Sequence, residues 1–382
     1  QKRTRLTENN SDLQALVDAV HSSNPDDWNP SVPNTAPVFP AGFTARRQTR
    51  LFDLMNLANL SNYLAARVII ADTDDTRKNF YLYRDSDGTG EWSILPWDKD
   101  GTLGNQLDAA PFVGHPFQAD WARRKTNSSH QWNYLWEGVF NDARLRPMML
   151  RRLRTLMDSI LGSAAGAPEA LADSFWAPIT STTPVIGTYS NQSNASIKSF
   201  FNSRRNGAAN VVPSGLFSVY SATNGLGTGI SIPPAQPANA ALSFGTIDYL
   251  PVSGNQEEEF VQLLNSNTYA VDISGWELRR GIEHRFEPGT VVLPNESIYA
   301  AGKTTAFRAR TTSPSGGQGL FVQGSFNGTI SARGEIIELW DPRDPANLTD
   351  DRLVATINTP ATPTPLQQSL RITEIMFDPP AG

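Results

Sequence analysis

The stretch NFYLYRDSDGTGEWSILPWDKDGTLG, residues 79–104, decides how this chain is read. Two aromatic-rich runs, NFYLYRD and EWSILPWD, flank a Gly-containing turn, which is a hairpin signal. Four aspartates accompany them: Asp85 and Asp87 in the turn, Asp98 and Asp100 at the exit. Three readings compete for these acids: a calcium loop, a turn dressed with carboxylates, and half of a catalytic magnesium site. Asp85, Asp87, Thr89, Gly90 and Glu91 imitate the first half of an EF-hand loop. The twelfth position, where calcium needs a bidentate Glu, is Pro96, and strands rather than helices flank the loop. A plain hairpin turn is the better reading of Asp85 and Asp87.

Upstream, LFDLMNLANLSNYLAARVIIADTDD carries Leu54, Leu57, Leu60 or Ser61, Leu64 and Val68 at helical spacing, with Asp53 at the start. It predicts one long, largely buried helix that empties into an acidic loop at 72–75. Residues 11–24 predict an amphipathic helix with Leu13, Leu16, Val17 and Val20 on one face, capped by Ser11 or Asp12. Downstream, 132–161 reads as helical, with Met149, Leu150, Leu153, Leu156, Met157, Ile160 and Leu161 as its apolar stripe and Gly162 as its stop. Arg144, Arg146, Arg151, Arg152 and Arg154 suggest a solvated face with a few ion pairs before they suggest an anion site. A further helix is expected in NASIKSFFNSRRNGAA, with Ile197, Phe200 and Phe201 inward.

Taken as one unit, ADTDDTRKNFYLYRDSDGTGEWSILPWDKDG runs helix, acidic loop, hairpin, acidic exit. Phosphoryl transfer needs a carboxylate at the acceptor hydroxyl, and an Asn and an Asp to hold magnesium against nucleotide phosphates. Asp74 and Asn79 have the D-x-x-x-x-N spacing of a kinase catalytic loop, and Asp98 follows at the hairpin exit. That spacing alone is weak, and capping and turn formation explain such residues as well.

The totals restrict the alternatives. The 382 residues suffice for two or three domains, and 39% hydrophobic residues with 9 Trp and 18 Phe imply folded cores. A net charge of -6 gives no basis for nucleic-acid binding. With no cysteine, disulfides, thiol catalysis and Cys-ligated zinc are excluded. No apolar run is long enough to span a membrane. The four histidines, His21, His115, His130 and His284, lack metal-ligand spacing. The chain opens at Gln1, shows no signal peptide, and ends on a strand-like run, so both ends read as the edges of a fragment.

From about residue 215 the texture changes. Residues 216–240 are rich in Ser, Gly and Pro and read as a connector. From 241 to 357, short strands separated by turns (EEFVQLLN, VDISGWELRR, HRFEPGTVVLP, SIYAAG, EIIELWD) form an all-β sandwich pattern. Trp276 is large enough to plug such a sandwich, and Gly275 eases the turn before it. Glu257 to Glu259 read as a solvated strand entry rather than a cation site. A Pro/Thr linker follows, and LRITEIMFDPP reads as the first strand of another domain.

Two resemblances sharpen this reading. From about residue 10 to 215, and above all in NFYLYRDSDGTGEWSILPWDKDGTLG, the chain resembles the CotH kinase family (spore-coat protein H-like), whose members are protein-kinase-like. The resemblance implies Asp74 as the catalytic-loop acid, Asn79 and Asp98 as magnesium ligands, Asp100 as a helper ligand, and ATP as phosphoryl donor. Trp97 would be a core residue beside the site. No kinase N-terminal lobe with its Lys and Glu is legible before residue 50, so this stretch by itself is expected to be inactive. From about 242 to 342, Glu259-Phe260-Val261, Leu263, Asn265, VDISGWEL and EPGTVVLP resemble a lamin-tail domain, an immunoglobulin-like sandwich found in secreted or surface-attached bacterial proteins as a binding or spacing module.

The expectation is therefore an α+β chain: a mostly helical kinase-like C-lobe with a β-hairpin (1–215), a linker (216–240), a lamin-tail sandwich (241–357), then a linker and the start of a further such domain (358–382). Its function would be magnesium-dependent transfer of phosphate from ATP to protein Ser or Thr, outside a bacterial cell, on an unknown protein substrate and with a surface partner for the sandwich. No nucleic acid and no membrane span are expected. The rival is a non-catalytic surface or adhesion protein that uses the kinase-like fold as a scaffold.

Overall fold

The computed structural model describes residues 7–20, 50–72, 79–104, 135–136, 139, 142–181, 193–207, 215–220, 231–343, 350–363 and 365–370. The fold is α+β: helices around one β-hairpin in the first half, a β-sandwich in the second. Among the described residues no helix is long and apolar enough to cross a membrane.

Helix α1 (Ser11–Val20) buries Leu16 and Ala19 but leaves Leu13 and Val17 exposed. The expected apolar face is thus rotated toward residues 16 and 19. The long helix expected from residue 51 onward is interrupted. A helical turn at 50–54 stops at Met55, which bridges Trp92, and the main helix α2 (Leu57–Ile70) starts afresh. Asn56 rather than Asp53 caps it, its side chain accepting from the Asn59 N–H at 2.8 Å. That is the Ncap device that satisfies an orphan helix donor. Leu57, Leu60, Leu64 and Val68 are buried along α2, each contributing roughly 1.5–3 kcal/mol of burial.

Strands β1 (Phe80–Arg84) and β2 (Trp92–Pro96) form the expected antiparallel hairpin, with Phe80 opposite Pro96 and Arg84 opposite Trp92. The Asp85 carboxylate accepts from the Thr89 N–H at 2.8 Å, and its carbonyl accepts from Gly90 N–H at 2.7 Å. Asp85 is therefore consumed by the turn, as the hairpin reading requires. The outer edge of β2 is closed by the first half of α2. Asn59 accepts from Ile94 N–H at 2.7 Å and donates to Ile94 C=O at 3.3 Å, and Asn56 N–H donates to Trp92 C=O at 2.9 Å.

Helix α3 (Leu145–Leu156) is preceded by Asp142, whose carboxylate accepts from the N–H groups of Arg144 and Leu145. It runs on into a π-helical turn, Met157–Leu161, which Gly162 ends in a left-handed conformation. The stripe is buried as expected, apart from Ile160, which is exposed. Helix α4 (Ala167–Ser181), which the sequence pattern did not reveal, packs on α5 (Asn194–Asn206). In α5, Phe200 and Phe201 point inward behind a Ser193–Ser196 capping box.

In the second half, one sheet has the order β10-β9-β4-β3, the strands being β3 (Ser243–Asp248), β4 (Phe260–Leu264), β9 (Ser297–Ala301) and β10 (Phe321–Gly324). The other has the order β12-β11-β6-β7, made of β6 (Glu277–Arg280), β7 (His284–Arg285), β11 (Ile336–Asp341) and β12 (Arg352–Asn358). A short pair, β5 (Val271–Asp272) and β8 (Val291–Val292), flanks them. Val261, Leu263, Trp276, Leu278, Phe286, Ile298, Ile337 and Leu339 fill the interior. Gly275 has φ +80, a value that side chains other than glycine's disfavour, and it delivers Trp276 into that core. The Asn265 amide donates to the carbonyls of Val292 and Tyr269 at 2.8 and 3.0 Å, pinning the loops at one end.

Three expectations are corrected here. Glu259 is not solvated: it is fully buried and accepts from Ile330 N–H at 2.9 Å, while Glu257 pairs with Lys303. Residues 231–240 are not a loose connector. Ile232 and Ala240 are buried, and Gln236 exchanges hydrogen bonds with the backbone of Asp272. Arg151 and Arg152 are buried rather than solvated. The strand expected in LRITEIMFDPP lies, beyond Leu370, outside the described residues.

Candidate active site

Helix α2 ends at Ile70. Ala71 takes a left-handed conformation, and the Asp72 N–H reaches back to Arg67 C=O at 3.0 Å. The buried Arg204 of α5 donates to the carbonyls of Val68 and Ile69, satisfying acceptors that a helix end leaves open. The chain therefore leaves α2 in a fixed direction. Asp74 and the segment 73–78 lie outside the described residues. Description resumes at Asn79, directly before β1.

The hairpin brings Asn79 and Asp98 to the same end. Trp97 N–H donates to Asn79 C=O at 3.2 Å, one residue short of Asp98. Asn79 (φ 64) and Asp98 (φ 52) are both left-handed, a conformation Asn and Asp tolerate better than most residues. Asn79 is buried, whereas Asp98 and Asp100 are exposed. Trp97 is 57% exposed and packs its edge on Tyr81, 5.4 Å between ring centres. Among the described residues it is thus not a core residue: no described element covers its face at the open end of the hairpin.

The exit loop folds back onto α2. Leu103 N–H donates to Ile70 C=O at 2.8 Å, and Thr102 Oγ1 donates to Lys99 C=O at 2.7 Å. Lys99 pairs with the buried Asp72 at 2.7 Å and donates to the Tyr63 hydroxyl at 3.1 Å, its ammonium 5.6 Å from the centre of the Tyr63 ring. Lys99 and Asp72 were missed in the sequence. The available signal was a single lysine set between two aspartates of an otherwise acidic exit.

The side chains of Asn79, Asp98 and Asp100 carry an amide oxygen and carboxylates, hard oxygen donors of the kind magnesium prefers, so the residue types present suit that ion. Among the described residues no three His, Cys, Asp or Glu side chains are arranged to hold a metal.

Comparison with known families agrees with this architecture. A family model described as CotH kinase protein matches residues 44–206, and one described as Lamin Tail Domain matches 235–359. The chain carries a CotH kinase domain followed by a lamin tail domain, the latter an immunoglobulin-like β-sandwich. Comparison with curated proteins finds no match.

Proposed function

We propose that the CotH domain is a magnesium-dependent phosphotransferase acting from ATP onto Ser or Thr hydroxyls of a protein, outside a bacterial cell. The observation that supports this most is the hairpin's placement of Asn79 and Asp98 at one end, tied by the Trp97–Asn79 hydrogen bond. In this reading Asp74 orients the acceptor hydroxyl and takes its proton as the oxygen bonds to the γ-phosphorus, while the bond to the β-phosphate oxygen breaks and ADP leaves. Asn79, Asp98 and Asp100 would hold the ion, whose positive charge would offset that of the phosphate oxygens. The lamin tail domain presents a surface for an extracellular partner.

The test is magnesium-dependent incorporation of labelled phosphate by the full-length protein, beside Asp98→Ala and Asn79→Ala. Loss of incorporation in both variants is expected. Incorporation that survives Asp98→Ala would sink the site, and none on any acceptor would leave the domain a non-catalytic scaffold.

A further inference from the structure

The two domains are joined by more than a connector. Each sends an arginine into the other. Arg308, on α6 (Thr304–Arg308) of the sandwich, donates to Phe52 C=O at 2.8 Å and to Glu91 Oε1 at 2.7 Å, and both paired side chains are largely buried. In return Arg144, at the start of α3, clasps Glu296 with Nε to Oε1 at 2.9 Å and Nη2 to Oε2 at 2.8 Å, and donates to Gly319 C=O. The Arg144 guanidinium stands 3.9 Å from the centre of the Phe52 ring. Deeper in, Arg152 bridges Asn62 of α2 to Asp272 and Ser274 of the sandwich, and Arg151 donates to Pro234 C=O. Bidentate pairing of this kind fixes orientation as well as proximity.

The backbones also meet. In the turn 287–290, Gly289 has φ +98, and a Cβ there would fall 2.1 Å from Ala58 C=O and 2.8 Å from Asn62 Cβ of α2. Only a glycine permits that approach. Asn56, the cap of α2, donates to Glu287 at 2.7 Å in the same turn. The large apolar core runs without a gap from Leu51, Leu64 and Leu153 into Val271, Ile273 and Val292.

We propose that the lamin tail sandwich of this chain is not a tethered spacer but a docked brace, forming one cooperative folding unit with the CotH domain. Its point of contact is the turn end of the hairpin, opposite the end that carries Asn79 and Asp98. Glu91, which Arg308 holds, directly precedes β2, and the far end of β2 delivers Asp98. The face carrying β5, β8, α6 and the 287–290 turn is committed to this contact, so a partner of the sandwich must use another face. The inference stands on contacts between the domains and does not need the phosphotransferase reading.

Hydrogen exchange followed by peptide mass on the full chain tests it, comparing wild type with Gly289→Val. The substitution removes no polar group but bars the approach to Ala58. Expected is exchange roughly ten-fold or more faster in α2 and α3, on the other domain, than in wild type. Faster exchange confined to the sandwich peptides around 284–292 would overturn the proposal. If Gly289→Val does not fold, Glu296→Gln at the rim carries the same comparison. It is expected to loosen α3, and no change there would overturn the proposal equally.

Discussion

Lys99, the one cation of the PWDKDG exit, lies 2.7 Å from the carboxylate of Asp72, the first residue of the acidic loop. The pair ties the end of α2 to the exit of β2. Asp72 is only 2% exposed, and a buried carboxylate that loses its counter-charge is costly. Lys99→Ala is expected to destabilise the protein by about 2–3 kcal/mol, and Lys99→Arg to recover part of it. Urea unfolding midpoints of the two variants measure this.

Asp98 behaves differently. Its side chain is exposed, and its left-handed backbone is one that Asn adopts as readily as Asp. Asp98→Asn is expected to change stability by less than about 0.5 kcal/mol while abolishing magnesium-dependent phosphate transfer in the full-length protein. Loss of activity together with a large fall in melting temperature would mean that Asp98 supports the fold instead.

Stability should depend on pH through Glu91. Burial pushes its carboxyl up to about 7, against the opposing pull of Arg308, with Glu287 and Asp85 pushing the same way as burial. The folded state therefore keeps a proton that the unfolded chain releases near pH 4.5. The stability contribution is present below about pH 4.5 and declines as pH rises to about 7, by at most about 3 kcal/mol. Glu91→Gln, which retains an acceptor for Arg308, is expected to flatten this slope in thermal melts between pH 5 and 8. An unchanged slope would refute the assignment.

Asn59 serves both hydrogen-bonding groups of Ile94. Asn59→Ala leaves a buried N–H without its acceptor, at about 1–3 kcal/mol. Faster amide exchange at Ile94 with Leu82, in the partner strand, less affected is the expected signature.

Much of this architecture was legible because local and global signals agreed. The NFYLYRD–EWSILPWD hairpin, the α3 stripe and Trp276 behind Gly275 each rest on short-range chemistry that tertiary contacts reinforce. What was misread depended on contacts distant in sequence. The break at Met55 exists because Met55 bridges Trp92. Arg151 and Arg152 are buried because a second domain covers α3. Glu259 is buried because the backbone of Ile330 meets it. For the candidate site, the hairpin geometry uniting Asn79 and Asp98 follows from two aromatic runs and a turn. The Asp72–Lys99 pair did not, since no period or motif links residues 27 apart in the chain. Asp74 lies outside the described residues.

The edge of β2 has one more consequence. Its outward positions are Trp92, whose carbonyl is taken by Asn56; Ile94, whose two groups are taken by Asn59; and Pro96, which has no N–H to offer. An unpaired strand edge is a template for foreign strands. Here a helix cap and one side-chain amide occupy three of that edge's groups and Pro96 lacks an N–H, so this side of the hairpin is a poor foothold for strand-to-strand association between molecules.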